Sequence, residues 1–304
     1  MAVFLERLKN GRVLVSDGAT GTNLQRRGLP AGAAAEVWVL ERPEEILQLH
    51  RDFISAGSDI ILTCTFGGTL LRLGQSGLAE RAVEVNRTAV GLAKQAADGS
   101  GALIAGSIGP LGHLLKPLGP LDESEAAENY RQQAQTLVEA GVDLLVVETQ
   151  FDMTEASIAV RAVRSVTDLP LVCSFSFDRG TRTMMGVRPR QLATELPALG
   201  VDVLGINCGR SLDENLKSLI ELKAALNEAG HNLPIWFKPN AGLPEMDAEG
   251  RPTYNLSPEG MGAGVVEWVE NGALVVGGCC GTSPEHLNAI RTHRDVLAAA
   301  STNG

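Results

Sequence analysis

NYRQQAQTLVEAGVDLLVVET, residues 129–149, holds in one stretch the device that decides the fold. A helical segment closes on Gly141, turns once, and enters the run DLLVVET (143–149). A glycine just past a helix takes the left-handed cap conformation without a Cβ penalty. The run is continuously apolar instead of alternating, the mark of a parallel strand buried on both faces. The same device recurs as AGSDII (56–61), LGVDVL (199–204) and NGALVV (271–276).

Working outward, eight such runs span the chain: RVLVSD (12–17), DIILTCT (59–65), ALIAGSI (102–108), DLLVVET (143–149), PLVCSFSF (170–177), DVLGINC (202–208), PIWFKP (234–239) and ALVVGG (273–278). Helical segments lie between them. Residues 43–57 place Ile46, Leu49, His50 and Phe53 on one face, and 190–200 and 214–230 again end in glycine. Eight strand–helix units predict an α/β fold, a (β/α)8 TIM barrel forming a single domain over residues 1–304. Residues 66–101, 109–128 and 241–261 read as long loops after strands, and 300–304 as a frayed end. An open, doubly wound sheet is the alternative architecture.

The 304 residues are 44% hydrophobic and 20% charged, enough apolar material for a sizeable core. A net charge of −10 argues against nucleic acid or an anionic membrane as partner, since both need a basic face. No apolar run approaches the roughly 20 residues of a membrane span, and no signal-peptide pattern opens the chain. The reading is a cytoplasmic protein whose five cysteines stay reduced. The sequence sets no oligomeric state.

In such a barrel the chemistry sits at the carboxyl ends of the strands. Cys208 ends the sixth run; Cys279 and Cys280 end the eighth, within GGCCGT. Neighbouring strands lie about 4.8 Å apart, so the three thiols can meet across the seventh. Three thiolates suit one Zn2+ and leave a tetrahedral position open, the pattern of a catalytic site. Gly277, Gly278 and Gly281 supply a permissive backbone. Against this stand two plainer readings: cysteine as a small buried hydrophobe, and a vicinal redox pair. Cys64 and Cys173 fall inside apolar runs and read as core. Asp17 and Glu148 end the first and fourth runs; they suit an ammonium group, general acid–base work, or an ion pair.

DGATGT (17–22), GINCG (205–209) and GGCCGT (277–282) together resemble the zinc-dependent homocysteine S-methyltransferases, over nearly the whole chain. That family includes the betaine and S-methylmethionine enzymes and the homocysteine-binding module of cobalamin-dependent methionine synthase. The resemblance implies that Cys208, Cys279 and Cys280 bind the zinc and carry catalysis. It implies that Asp17 and Glu148 hold the substrate amino group, with Gly18 and Thr63 at its carboxylate and Thr65 a weaker candidate. KPNAGLP (238–244) is similar to the methionine synthase module, which makes Asn240 a displaceable resting ligand; a loop-capping asparagine is the plain alternative. Cys64 stands where many relatives carry asparagine.

The implied activity is methyl transfer to the thiol of homocysteine, giving methionine by SN2 attack of a zinc-held thiolate. The donor is a methylcorrinoid supplied by another protein, S-methylmethionine or betaine; KPNAGLP favours the corrinoid. The chain carries no DxHxxG cobalamin motif, which puts the corrinoid on a separate polypeptide. Methyl transfer to another thiol or a selenol, and a non-catalytic zinc-stabilised scaffold, are the competing functions.

Overall fold

Gly57, Gly141, Gly200 and Gly272 adopt φ of 105°, 89°, 84° and 96°, so all four repeats of the helix–glycine–strand device form as expected. The computed structural model describes residues 2–247 and 252–302. Its strands are β1 (Leu14–Val15), β2 (Ile60–Leu62), β3 (Leu103–Ile108), β4 (Leu144–Gln150), β5 (Leu171–Phe175), β6 (Val203–Cys208), β7 (Ile235–Pro239), β8 (Pro244–Met246), β9 (Pro252–Tyr254) and β10 (Ala273–Val276). Eight of these make one parallel sheet in the order β1-β10-β7-β6-β5-β4-β3-β2. A parallel bridge between Ser16 and Ile60 joins the two ends, so the sheet is a barrel and the open alternative is excluded. β8 and β9 form a separate antiparallel hairpin inserted before β10.

The barrel interior is stratified by the two-residue period of a strand. Leu14, Ile60, Leu144, Trp236 and Val275 belong to one buried cluster inside it. Phe4 and Leu8 of the helix Val3–Lys9 join that cluster and close its amino-terminal end. Each such side chain, fully buried, contributes about 1.5–3 kcal/mol. Two residues further along four of the strands the same face turns polar: Val146 is followed by Glu148, Ala105 by Ser107, Val172 by Ser174 and Trp236 by Lys238. All four polar residues are buried. An apolar floor thus carries a polar ceiling, at the carboxyl ends of the strands.

The aspartates after three of the glycines have a role that sequence reading missed. Asp59 accepts from Val15 N at 2.9 Å, Asp143 from Ile104 N at 2.8 Å, and Asp202 from Leu171 N at 2.9 Å. Each satisfies an amide at the start of the neighbouring strand, where ladder partners run out.

Two loop expectations need correction. Residues 82–97, read as loop, form the helix Ala82–Ala97, which buries Val85, Ala89, Val90 and Ala93 along one face. Residues 241–261 hold the β8–β9 hairpin and the start of the helix Pro258–Ala263. The helix 43–57 forms as Pro43–Ser55 and buries the four residues expected of it. The last helix runs Pro284–Thr302, and residues 303–304 of the expected frayed end lie outside the described residues.

Candidate active site

Three sulfurs meet at the barrel mouth. Cys208 ends β6, and β7 separates it from β10, as the sequence anticipates. Cys279 N donates to Pro239 O at 2.8 Å, and Ala241 N to Cys280 O at 2.9 Å, so the end of β7 holds the CysCys turn in place. The sulfurs of Cys208, Cys279 and Cys280 all lie within 4.8 Å of one another, and those of Cys208 and Cys279 are 2.6 Å apart. Zinc–thiolate bonds of about 2.3 Å set tetrahedral sulfurs roughly 3.8 Å apart. The closest pair therefore opens by about 1 Å to admit the ion, and the donor set suits zinc.

The backbone around this cluster is specialised. Cys208 and Thr149 are the non-glycine residues with positive φ among those described, at 58° and 60°. Gly281 (φ 81°) also leaves room for the ring of Tyr254: a Cβ there would lie 2.3 Å from Tyr254 Cγ. Gly278 is needed for space alone, since a Cβ would fall 2.1 Å from Thr282 Oγ1.

Hydrogen bonds from Cys208 and Cys279 hold the Cys280 thiol well below its usual range. The Cys208 thiol is pushed up, first by its bond to Cys279. The remaining protons must leave when a metal binds. By contrast Cys64 and Cys173 are buried, and desolvation raises both thiols, as core cysteines should behave.

Asn240 does not point a free carboxamide at the sulfurs. Its Oδ1 accepts from Cys280 N at 3.0 Å and its Nδ2 donates to Gly209 O at 2.7 Å. It ties the two cysteine-bearing turns together. Asn207, a strand-end polar residue to which the sequence assigns no role, sits closer to the chemistry. Its Nδ2 lies 3.8 Å from Cys279 Sγ and donates to Thr149 Oγ1 at 2.7 Å; its Oδ1 accepts from Thr149 N at 2.9 Å and Ser174 Oγ at 2.6 Å.

Beside the sulfurs lies a buried charge cluster. Asp17 Oδ1 accepts from Lys238 Nζ at 2.6 Å, and its Oδ2 accepts from Leu62 N at 2.7 Å. Glu148 Oε1 accepts from Ser107 Oγ at 2.5 Å. Burial pushes the Glu148 carboxyl up to about 7, against the pull of Lys238. Thr63 is fully engaged: its hydroxyl accepts from Ser107 N at 3.2 Å and pairs with Thr65 Oγ1 at 2.6 Å, while Thr65 donates to Ser107 O. One cavity of about 520 Å³ is lined by Asp17, Gly18, Thr63, Glu148, Lys238 and all three cysteines.

The chain matches the family described as homocysteine S-methyltransferase over residues 14–293. It belongs to that family. Methionine synthase of Mycobacterium tuberculosis is 30% identical over 92% of this chain, and that of Mycobacterium leprae 29% over the same share. The chain spans about a quarter of their length, 24% in each case. Among solved structures, the metallated homocysteine methyltransferase MmuM from Escherichia coli superposes with a TM-score of 0.78 at 24% identity, over 94% of this chain and 97% of that one. Type I 3-dehydroquinate dehydratase from Clostridium difficile shares only the barrel, at TM-score 0.54 and 11% identity.

Within this homocysteine S-methyltransferase family chain, the same cavity has walls that no motif announced. Gln25, Ala35, Glu36, Phe66 and Arg72 line it, as does Tyr254 from the hairpin. Glu36 is buried and accepts from Gly67 N at 2.5 Å; desolvation raises its carboxyl. These residues lie in loops or in short elements, the helices Thr20–Arg26 and Leu70–Gly74 and the strand β9, where a single sequence carries too little periodicity to mark them. Lys238 was hidden differently, inside an apolar strand run. An isolated charge there is a signal in itself, because lysine is almost never fully buried unless paired.

Proposed function

We propose that this chain transfers a methyl group to the thiol of homocysteine, giving methionine, on a zinc ion held by Cys208, Cys279 and Cys280. One observation carries the reading: three convergent sulfurs share a cavity with two buried carboxylates. Coordination at those sulfurs supplies a substrate thiolate at neutral pH, where a free thiol of pKa near 8.5 is mostly protonated. The chain's own part is positioning. Asp17 and Glu148 form the end that takes the ammonium group. Gly18 and Thr63 line the wall for the carboxylate, with the Gly18 backbone as the candidate donor, since the Thr63 hydroxyl is already committed and Thr63 N donates to Ala105 O at 2.9 Å. Asn207 steadies Cys279, and Asn240 spaces the two cysteine turns and remains the candidate displaceable ligand. The substrate sulfur then attacks the methyl carbon in line. The new S–CH3 bond forms as the donor's bond breaks, and its electron pair leaves with the donor.

The donor we favour is a methylcorrinoid carried on another protein. A 520 Å³ cavity is of small-molecule size, so a corrinoid must present its methyl at the mouth. Leu70, Leu118, Met184, Leu243 and Met246 are exposed by 41–68% and all lie on segments that follow the carboxyl ends of strands. Exposed apolar side chains on the segments that surround the mouth suit a macromolecular partner. Glu36 and Arg72 inside the cavity support the second reading, a small onium donor with its own carboxylate, such as S-methylmethionine or betaine.

The test is a donor panel. Zinc-loaded protein is given homocysteine with betaine, S-methylmethionine, free methylcobalamin or a protein-bound methylcorrinoid. Methionine from none of them refutes the function. Parallel competition by cysteine and selenohomocysteine separates the other-thiol and selenol reading. Metal-edge spectroscopy separates the scaffold reading, which requires no added sulfur when homocysteine binds. Three reduced thiols at the site fit a reducing compartment such as the cytoplasm. No helix among the described residues is long and apolar enough to cross a membrane.

A further inference from the structure

We propose that Tyr254 is a further residue of the metal centre: the β8–β9 hairpin brings its phenol hydroxyl to the Cys280 sulfur, and by donating there it makes Cys280 a poorer nucleophile toward the methyl donor. This role rests on Cys208, Cys279 and Cys280 holding the metal, and gives the hairpin a part that no motif assigns.

Three thiolates beside a methyl electrophile pose a problem of selectivity. Each ligand sulfur carries lone pairs, and any of them can attack the methyl carbon in place of the substrate sulfur. An S–CH3 bond would then form on a cysteine as the donor's bond breaks, its electron pair leaving with the donor. A hydrogen bond into a thiolate stabilises those lone pairs, and so slows this attack while the sulfur stays a ligand.

The placement of Tyr254 is built into the fold. Its ring lies against the backbone beside Cys280, since a Cβ at Gly281 would come 2.3 Å from Tyr254 Cγ. A line of hydrogen bonds ties the base of the hairpin to the cysteine turn. Ala241 N donates to Cys280 O at 2.9 Å, Leu256 N to Ala241 O at 3.0 Å, and His286 Nε2 to Leu256 O at 2.9 Å. Tyr254 pairs with Pro244 across the hairpin and lines the cavity with all three cysteines. After the bonds from Cys208 and Cys279, one from the Tyr254 phenol also holds the Cys280 thiol down. Cys279 has a donor of its own, Asn207 Nδ2 at 3.8 Å. Among the described residues, Cys208 Sγ has only the other two sulfurs as hydrogen-bond partners. The three ligands are thus unequal, and Cys208 is the one left without a neutral donor.

The test is methylation of zinc-loaded protein by methyl iodide without homocysteine, with S-methylcysteine located by peptide mass spectrometry. Each event forms one S–CH3 bond and releases iodide. Wild-type protein should be methylated at Cys208 ahead of Cys280. Tyr254→Phe keeps the ring against Gly281 and removes only the hydroxyl. At equal zinc content it should raise the Cys280-to-Cys208 ratio about 3- to 10-fold, the worth of one hydrogen bond. Thr253→Val removes the neighbouring exposed hydroxyl, which donates to Glu245 O at 3.2 Å, and should leave the ratio unchanged. An unchanged ratio in Tyr254→Phe overturns the proposal, and so does an equal rise in Thr253→Val, which would reflect the hairpin's packing alone. Wild-type protein methylated first at Cys280 overturns it too, and that measurement carries the test if the variant fails to fold. Wild-type protein that takes up no zinc refutes the metal reading, and this role with it.

Discussion

Replacing Lys238 by methionine keeps most of the side-chain volume and removes only the ammonium. Asp17 would then sit 1% exposed with a single strong donor, Leu62 N, and no cation. Breaking a buried pair by removing one partner costs about 3–5 kcal/mol, because the remaining charge is uncompensated. Removing both charges is often close to neutral. The expected pattern is therefore Lys238→Met destabilised by about 3–5 kcal/mol, and Asp17→Asn/Lys238→Met within about 1 kcal/mol of wild type. Urea unfolding of the zinc-loaded proteins at pH 7 reads both values. A domain is stable by only about 5–15 kcal/mol, so the single variant should show a large fall in midpoint with an unchanged slope. The surface pair Arg190–Glu228 at 2.8 Å, with side chains 60% and 66% exposed, serves as control and should cost under about 1 kcal/mol. A Lys238→Met cost as small as that control would refute the claim that the pair compensates a buried charge.

Three further outcomes follow from the same geometry. Cys208→Ala should abolish stoichiometric zinc, and Asn207→Ala should weaken zinc about 10- to 100-fold by freeing Cys279 from its neighbour, both read by chelator competition. Glu148, raised from 4.5 to about 7, stays mostly protonated in the metal- and substrate-free native state between those two pH values, while the unfolded chain ionises. Its contribution to the stability of metal- and substrate-free protein is full below pH 4.5 and is lost as pH rises to about 7. The loss amounts to about 3 kcal/mol, and Glu148→Gln should flatten that part of the profile in denaturation measured from pH 4 to 8. Leu118→Glu/Met184→Glu should cut kcat/KM for a protein-bound methylcorrinoid at least about 10-fold, yet leave free methylcobalamin unaffected; equal loss with both donors would remove the docking face.

Much of the barrel was legible because it repeats. A glycine after a helix, followed within two residues by a continuous apolar run, encodes the same geometry wherever it occurs, and each of the eight runs contains a barrel strand. The cysteine trio was legible because strand ends are where a barrel concentrates chemistry. Residues 82–97 misled because Gly91 and scattered charges obscure a helical face made chiefly of alanine and valine. Small residues pack well there, but carry a weak hydrophobic signal. The hydrogen-bond partners of Asn207 and Asn240 were not legible, for another reason. Their roles are set by partners 58 and 40 residues away, Thr149 and Cys280, and no local pattern records a contact of that span.

The polar ceiling explains why this site can exist inside a barrel at all. Four strands that supply a buried apolar side chain to the floor, β3, β4, β5 and β7, supply a polar one two residues later, so floor and site are written there by the same period. Trp236 and Lys238 show the coupling most directly: one strand places an indole in the core and an ammonium above it, 5.8 Å from its ring centroid. Burial that would penalise a lone charge instead sharpens recognition, because every donor and acceptor already satisfied within the protein is withdrawn from the substrate. The hydroxyls of Thr63 and Thr65 are withdrawn in this way. Glu148 Oε2, which no donor reaches among the described residues, and the three sulfurs remain open to a ligand.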